Sequence, residues 1–309
     1  MGLPAPTRTP SQALVAAAFA AIYLIWGSTY LAIRFAIDTL PPFTMAGSRF
    51  VIGGSVLYAV ARSLGAERPT GKQWLSTFVV GGLLLLGGNG GVTYAELTVP
   101  SGVAALLVAT VPLWMLLLQW LLRDGATPSM MEVAGVLLGF AGVVLLFSPW
   151  RGTDEGRADR FGMLLLVGAS LSWSFGSLIS RRMTLPSSPW LTTAMQMLCG
   201  GFLLGLMGVC LGEWSRVDFA GVTAKSWLSF AYLTIVGSLV GFSAYVWLLR
   251  VSTPARVATY AYVNPVVAVA LGWSFGGESL TALTVIGMCV IVAGVVMTTT
   301  AKQRKAKAL

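Results

Sequence analysis

Several groups that water would normally hold stand inside long apolar runs of this chain. Arg49 lies six residues into a run that starts at 43, which in a helix is about 9 Å below its end. A guanidinium at mid-bilayer costs on the order of 3 kcal/mol, so it must meet a partner or water, and any such residue is a functional suspect. Glu96 closes the next run on the same side and is the best-placed partner for Arg49. An ion pair clipping two helices and a substrate, gate or proton-coupling site are both compatible with that placement. Asn264-Pro265 falls about ten residues into another run. Pro265 removes a helical hydrogen bond and frees a carbonyl, while Asn264 offers donor and acceptor beside it. Thr110 and Pro112 occupy a comparable depth earlier in the chain, and Asn89 is flanked by Gly87-Gly88 and Gly90-Gly91. Two glycine pairs around one polar residue weaken a helix locally, which suits a segment that bends or lines a cavity.

Aromatic residues form a second set. Trp26 and Tyr30 are one turn apart, and Trp173, Tyr260 and Tyr262 are similarly deep, accompanied by Ser28, Thr29, Ser177 and Thr259. A mixed aromatic and hydroxyl wall of this kind favours small organic substrates over bare ions. Trp74, Trp150, Trp214 and Trp227 lie at run ends, where tryptophan anchors a helix at the membrane interface. Trp26, Ser28, Tyr30, Asn89, Thr110, Pro112, Trp173, Tyr260, Tyr262, Asn264 and Pro265 are therefore the expected substrate-contacting residues, with Arg49 and Glu96 as gate or coupling residues.

Other chemistries lack their groups. There is no histidine, hence no Ser–His dyad, no imidazole metal ligand and no imidazole base. Asp38, Asp124, Asp154, Asp159 and Asp218 all fall in connections, which removes an intramembrane aspartyl dyad. No Gly-x-x-x-x-Gly-Lys string cradles a phosphate. No catalytic residue, metal or cofactor is expected. A channel would need a ring of charges or a repeated carbonyl-rich filter, which the chain lacks; a channel or a non-transporting scaffold is the alternative reading.

The elements that must position these groups are membrane helices. Of 309 residues, 56% are hydrophobic and 10% charged, with mean hydropathy +0.80, against about 25% charged in soluble domains. About 20 apolar residues span the hydrocarbon core. Ten runs qualify: 13–33, 43–61, 74–95, 101–122, 133–149, 161–180, 190–212, 226–249, 255–276 and 281–300. The second five repeat the first. Trp26-Gly-Ser-Thr-Tyr-Leu-Ala-Ile-Arg34 recurs as Trp173-Ser-Phe-Gly-Ser-Leu-Ile-Ser-Arg181, Trp74-Leu-Ser76 as Trp227-Leu-Ser229, and Ala141-Gly-Val-Val144 as Ala293-Gly-Val-Val296. Five spans per copy force opposite orientations. The expected fold is all-α and polytopic: two inverted five-helix repeats, 1–150 and 161–301, around a central cavity. A polar linker, 151–160, joins them and a basic tail, 302–309, follows. Inverted repeats hold a transporter's substrate near midplane.

The excess of Lys and Arg fixes an expected direction. With a cytoplasmic N-terminus, Arg8, Arg62, Arg68, Lys72, Arg123, Arg181, Arg182, Arg250, Arg256 and the tail lie inside. Arg34, Arg151, Arg157, Arg160, Arg216 and Lys225 lie outside, about half as many. Despite the net charge of +9, the basic residues stand singly, so nucleic acid is not an expected partner; the tail touches anionic headgroups. Cys199, Cys210 and Cys289 lie in apolar runs and serve packing. Glycines such as Gly135, Gly139 and Gly142 let helices approach closely.

Longer strings carry a family resemblance. Tyr23-Leu-Ile-Trp-Gly-Ser-Thr-Tyr30, Pro41-Pro42 with Met45-Ala-Gly-Ser-Arg-Phe50, Gly88-Asn-Gly90 with Glu96, Val99-Pro-Ser-Gly102, Ala109-Thr-Val-Pro-Leu113, and Tyr260-Ala-Tyr-Val-Asn-Pro-Val-Val-Ala268 with Gly277-Glu278 resemble the ten-span EamA-type exporters of the drug/metabolite transporter superfamily. The likeness is strongest to their bacterial inner-membrane YedA-like branch and covers nearly the whole chain. It implies a multi-pass inner-membrane exporter of small metabolites or amino-acid-like compounds. It also implies cytoplasmic termini and alternating access, with protons as a candidate coupling ion. Carried over by matching strings are Trp26, Ser28, Arg49, Asn89, Glu96, Pro112, Tyr262, Asn264 and Glu278, the last joining the gate or coupling set. The second repeat has Gln196 at the place of Arg49 and Leu249 at that of Glu96, so any ionic gate is asymmetric.

Overall fold

The computed structural model describes residues 11–122, 129–147, 160–252 and 260–307. The expected linker, apart from Arg160, lies outside the described residues, as do Asp154, Asp159, Arg123 and Thr259. Ten apolar helical segments appear among the described residues. They are α1 (Gln12–Ala36), α2 (Pro42–Ser63), α3 (Gly71–Ala95), α4 (Ser101–Leu121), α5 (Met130–Phe147), α6 (Arg160–Ser180), α7 (Pro189–Cys210), α8 (beginning Ala224–Tyr232), α9 (Tyr260–Phe275) and α10 (Ala282–Lys307). Seven are long and apolar enough to cross a bilayer, while the apolar parts of α5, α9 and α10 are shorter. Each falls on an expected run.

Three spans are not continuous α-helix. In α3 a π-helical stretch, Gly82–Gly90, separates Gly71–Gly81 from Gly91–Ala95. In α8 a π-helical stretch, Leu233–Val240, leads into Gly241–Val251. The two stretches occupy equivalent places in the two repeats, and wider turns of this kind recur at functional sites. Span α4 breaks into Ser101–Val108 and Val111–Leu121.

The most extensive helix pairs obey a two-fold exchange. Swapping each helix for the one five later maps α1·α9 onto α6·α4, α1·α8 onto α6·α3, and α3·α7 onto α8·α2; α2·α7, α5·α10 and α4·α9 map onto themselves. The self-paired helices run antiparallel. A Cβ added at Gly47 would lie 2.7 Å from the Gly205 nitrogen, whereas one at Gly54 would lie 3.1 Å from the Ala194 oxygen, so α2 ascends as α7 descends. Likewise Gly135 faces Gly294 and Gly142 faces Gly287 between α5 and α10. Equivalent helices that cross antiparallel place the two-fold axis in the membrane plane, which is the inverted repeat. Glycine makes these crossings close enough for backbones to touch, and packing rather than hydrophobicity holds helices together in lipid.

Candidate functional site

The site is built from the ends and breaks of the helices. Helix α2 starts at Pro41-Pro42 and α4 at Pro100, and neither has a side-chain cap of its own. Their first-turn N–H groups point away from any intrahelical acceptor. Carboxylates from the second repeat satisfy both. Glu213 accepts from Phe43 N at 3.2 Å, Thr44 N at 2.7 Å and Thr44 Oγ1 at 2.8 Å. Glu278 accepts from Ser101 N at 2.6 Å and Gly102 N at 3.0 Å. Gly272 makes room for that cap, because a Cβ there would sit 2.5 Å from Glu278 Oε2. Arg34, at the end of α1, donates to the Glu96 and Leu97 carbonyls at the end of α3. One end of the bundle is thus tied by two links across the repeats and a third within the first repeat.

Beneath these ties lie the buried ions. Arg49 is 4% exposed and Glu96 0%. They do not form the expected pair. Arg49 Nη2 donates to Asn89 Oδ1 at 2.9 Å, and its guanidinium lies 4.3 Å from the centre of the Phe50 ring. Neither carboxylate oxygen of Glu96 has a hydrogen-bond partner, and neither does Arg49 Nε. Asn89 lies two turns before Glu96 on α3, so it reaches the deeper Arg49 first. Asn89, expected to touch substrate, is instead occupied by Arg49, with Thr93 Oγ1 a second donor at 3.4 Å. Its neighbouring glycines pack as well, since a Cβ at Gly88 would sit 2.8 Å from Trp173 and one at Gly91 2.9 Å from Ala169. Glu278, expected at the gate, is a helix cap.

A second cluster forms where α1, α8 and α9 meet. Trp26 stands 4.9 Å from Tyr260, nearly perpendicular at 87°, with Tyr245 at 5.2 Å and Phe242 at 5.5 Å. Tyr245 and Tyr260 are 6.2 Å apart. Trp173 forms no ring pair with Trp26, Tyr245 or Tyr260; it packs against the cluster that contains Phe50, Leu85 and Leu204, as Phe242 also does. Tyr30 packs against the cluster that contains Val92, Leu107 and Val269. The Tyr262 side chain lies outside the described residues. The hydroxyls expected along the wall mostly return to their own helices: Thr29 to Trp26 O at 2.7 Å, Ser177 to Trp173 O at 2.7 Å, Thr110 to Leu107 O at 2.5 Å. Ser28 bonds Ile25 O at 2.8 Å and also the Tyr232 hydroxyl at 2.6 Å, joining α1 to α8.

Asn264 is 7% exposed. With its amide oriented to satisfy its neighbours, the nitrogen donates to Tyr260 O at 3.1 Å and Tyr23 O at 3.3 Å, tying α9 to α1. The two prolines differ in role. Pro265 sits inside α9, whereas Pro112 follows the α4 break and begins the next helix, where its missing N–H would have no partner anyway. Ser170 and Ser174 of α6 supply the break, donating to the Leu107 and Val111 carbonyls at 3.2 and 3.1 Å.

Sequence reading missed Glu213, Arg34 and Tyr232. An uncapped N-terminus after Pro41-Pro42 signals that an acceptor must come from elsewhere; which carboxylate supplies it is a matter of tertiary structure. Among the described residues no group of three or more Cys, Asp and Glu side chains converges to hold a metal.

Comparison with known proteins fits this architecture. The EamA-like transporter family matches the chain twice, over residues 13–148 and 160–300. The inner membrane transporter YedA of Escherichia coli strain K12, named as uncharacterized, is 40% identical over 283 residues, covering 91% of this chain and 89% of that protein. The transporter YvbV of Bacillus subtilis strain 168, also named as uncharacterized, is 26% identical over 291 residues, covering 93% and 92%. A solved crystal structure shares the fold at TM-score 0.63 and 23% identity, covering 95% of this chain and 99% of that one. Two matches of one family pattern, inverted helix pairing and a membrane-length helical bundle converge: this chain belongs to the EamA-like transporter family.

Proposed function

We propose that the protein exports small metabolites or amino-acid-like compounds across the inner membrane by alternating access, with both termini cytoplasmic. In this reading 1–150 and 161–301 are the two repeats. The observation that carries it is the antiparallel pairing of equivalent helices. Two structurally equivalent, oppositely directed halves have two related arrangements of similar energy, one open to each side. The aromatic group Trp26, Tyr245 and Tyr260 supplies the substrate-facing wall and favours organic molecules with apolar or cationic surface. Asn264 fixes that wall by holding Tyr260 against α1. Arg49, Glu96 and Glu278 act at the outer end, where the cross-repeat ties hold the mouth shut.

Metabolite profiles of cells lacking and overproducing the protein would supply candidate substrates for counterflow in proteoliposomes. Saturable counterflow, lost in Asn264→Ala and weakened in Trp26→Ala while membrane insertion is normal, is the expected result. Conductance that does not saturate would mark a channel, and no flux of any hit would leave a scaffold.

A further inference from the structure

Glu96 presents an arrangement that a fold does not keep without use. A carboxylate wholly removed from water with neither oxygen hydrogen-bonded is among the costliest of buried groups. Three other charged groups are close enough to act on it: Arg34, Arg49 and Glu278. Arg34 spends Nη1 on the carbonyls of Glu96 and Leu97, which ties it to the end of α3. Glu278 carries like charge and is bound to the N-terminus of α4. Arg49 has a fully buried donor without a partner, its Nε, and it too feels the charge of Glu96. Two buried groups, one acidic and one basic, are therefore both left incomplete, while Asn89 holds the arginine.

We propose that Arg49 exchanges partners during the transport cycle, pairing with Asn89 in the arrangement seen here and with Glu96 when the outer end opens. This rests on the alternating-access reading and names the residues that set its equilibrium. Asn89 and Glu96 are seven residues apart on α3, about 10 Å along a helix and on one face of it. The exchange takes a swing of the long Arg49 side chain together with a bend in α3. The π-helical stretch Gly82–Gly90, which carries Asn89, is where such a bend is easiest. Bending α3 also draws the Glu96 and Leu97 carbonyls away from Arg34, so the same motion undoes an outer tie. Asn89 is a positioning residue in this scheme: a neutral acceptor holds Arg49 firmly enough to define one state and weakly enough to release it. The second repeat, with Gln196 and Leu249 at the equivalent places, has no such pair, so the switch works at one end alone.

The test measures the two states directly rather than flux. Spin labels at Leu97→Cys and Phe219→Cys, both exposed, report the separation of the α3 end from the α7–α8 connection in full-length protein in nanodiscs, with the natural cysteines replaced. Asn89→Asp should hold Arg49 and sharpen the short-distance population. Asn89→Ala should release it and move the ratio of states toward the longer distance by about tenfold, within the usual range of coupling between sites. Adding Glu96→Gln to Asn89→Ala should cancel that shift. Asn89→Ser carries the same comparison where Asn89→Ala does not fold. A shift in Asn89→Ala that survives Glu96→Gln, or identical distance distributions in Asn89→Asp and Asn89→Ala, overturns the proposal. Counterflow that persists alongside such a result would leave the transport reading standing.

Discussion

Removing the Glu278 carboxylate should cost the protein about 3 kcal/mol of stability. Glu278→Ala deletes two charge-assisted hydrogen bonds, to Ser101 N at 2.6 Å and Gly102 N at 3.0 Å. Each is worth about 1.5–3 kcal/mol, and the helix dipole adds about 0.3–1. The gross loss is therefore about 3–7 kcal/mol; Glu278 itself is only half-buried, so water recovers part of it and the lower figure applies. Recovery is incomplete because Ser101 is 0% exposed and Gly102 is buried, and their N–H groups cannot all reach water. Glu278→Gln keeps one acceptor and should lose about half as much. Gly272→Ala should mimic the deletion from the other side, since its Cβ would lie 2.5 Å from Oε2 and 2.9 Å from Cδ and push the carboxylate off the helix. Unfolding in mixed micelles graded with SDS measures each difference, with the exposed Glu67→Ala as a control expected within about 0.5 kcal/mol of the parent. A Glu278→Ala protein as stable as the Glu67→Ala control would refute the capping role. So would a Gly272→Ala protein that loses nothing.

Three further outcomes separate close packing from surface charge. Gly294→Ala should destabilise the α5·α10 crossing by about 1–3 kcal/mol, because its Cβ would lie 2.5 Å from Gly139 N and 2.6 Å from Gly135 O, backbone atoms with no rotamer to yield. Gly168→Ala, which faces open space, should be neutral or slightly stabilising in the same assay. Lys225→Ala removes the 2.5 Å ion pair with Asp38, yet both side chains are about half exposed, so thermal melts should move by no more than about 1 kcal/mol allows.

Fold class, span positions and the repeat were legible in the chain because each rests on local pattern. Lipid forces backbone groups to bond within a segment, so apolar length alone marks a helix. The odd number of spans per copy dictates the inversion, and Gly135, Gly139 and Gly142 read as a contact stripe. Trp26 and Tyr260 were singled out by depth and type and do meet. Beyond that, what a polar side chain touches depends on distances between helices that the sequence does not contain. Arg49 and Glu96 are of opposite charge type and similar depth, but Asn89 on the same helix face is nearer, and proximity decides a hydrogen bond. Glu278 and Glu213 look like ordinary loop carboxylates until the antiparallel crossings of α4·α9 and α2·α7 bring them to uncapped N-termini about 170 residues away in the chain. Thr29, Thr110 and Ser177 looked like cavity hydroxyls; the nearest acceptor for each is the carbonyl three or four residues back on its own helix. The sequence by itself thus determined which segments enter the membrane, and in which mutual direction, since solvation by lipid acts on each segment separately. Only the tertiary structure decided which ion is paired and which is left waiting, because that choice is made by a few ångströms between helices.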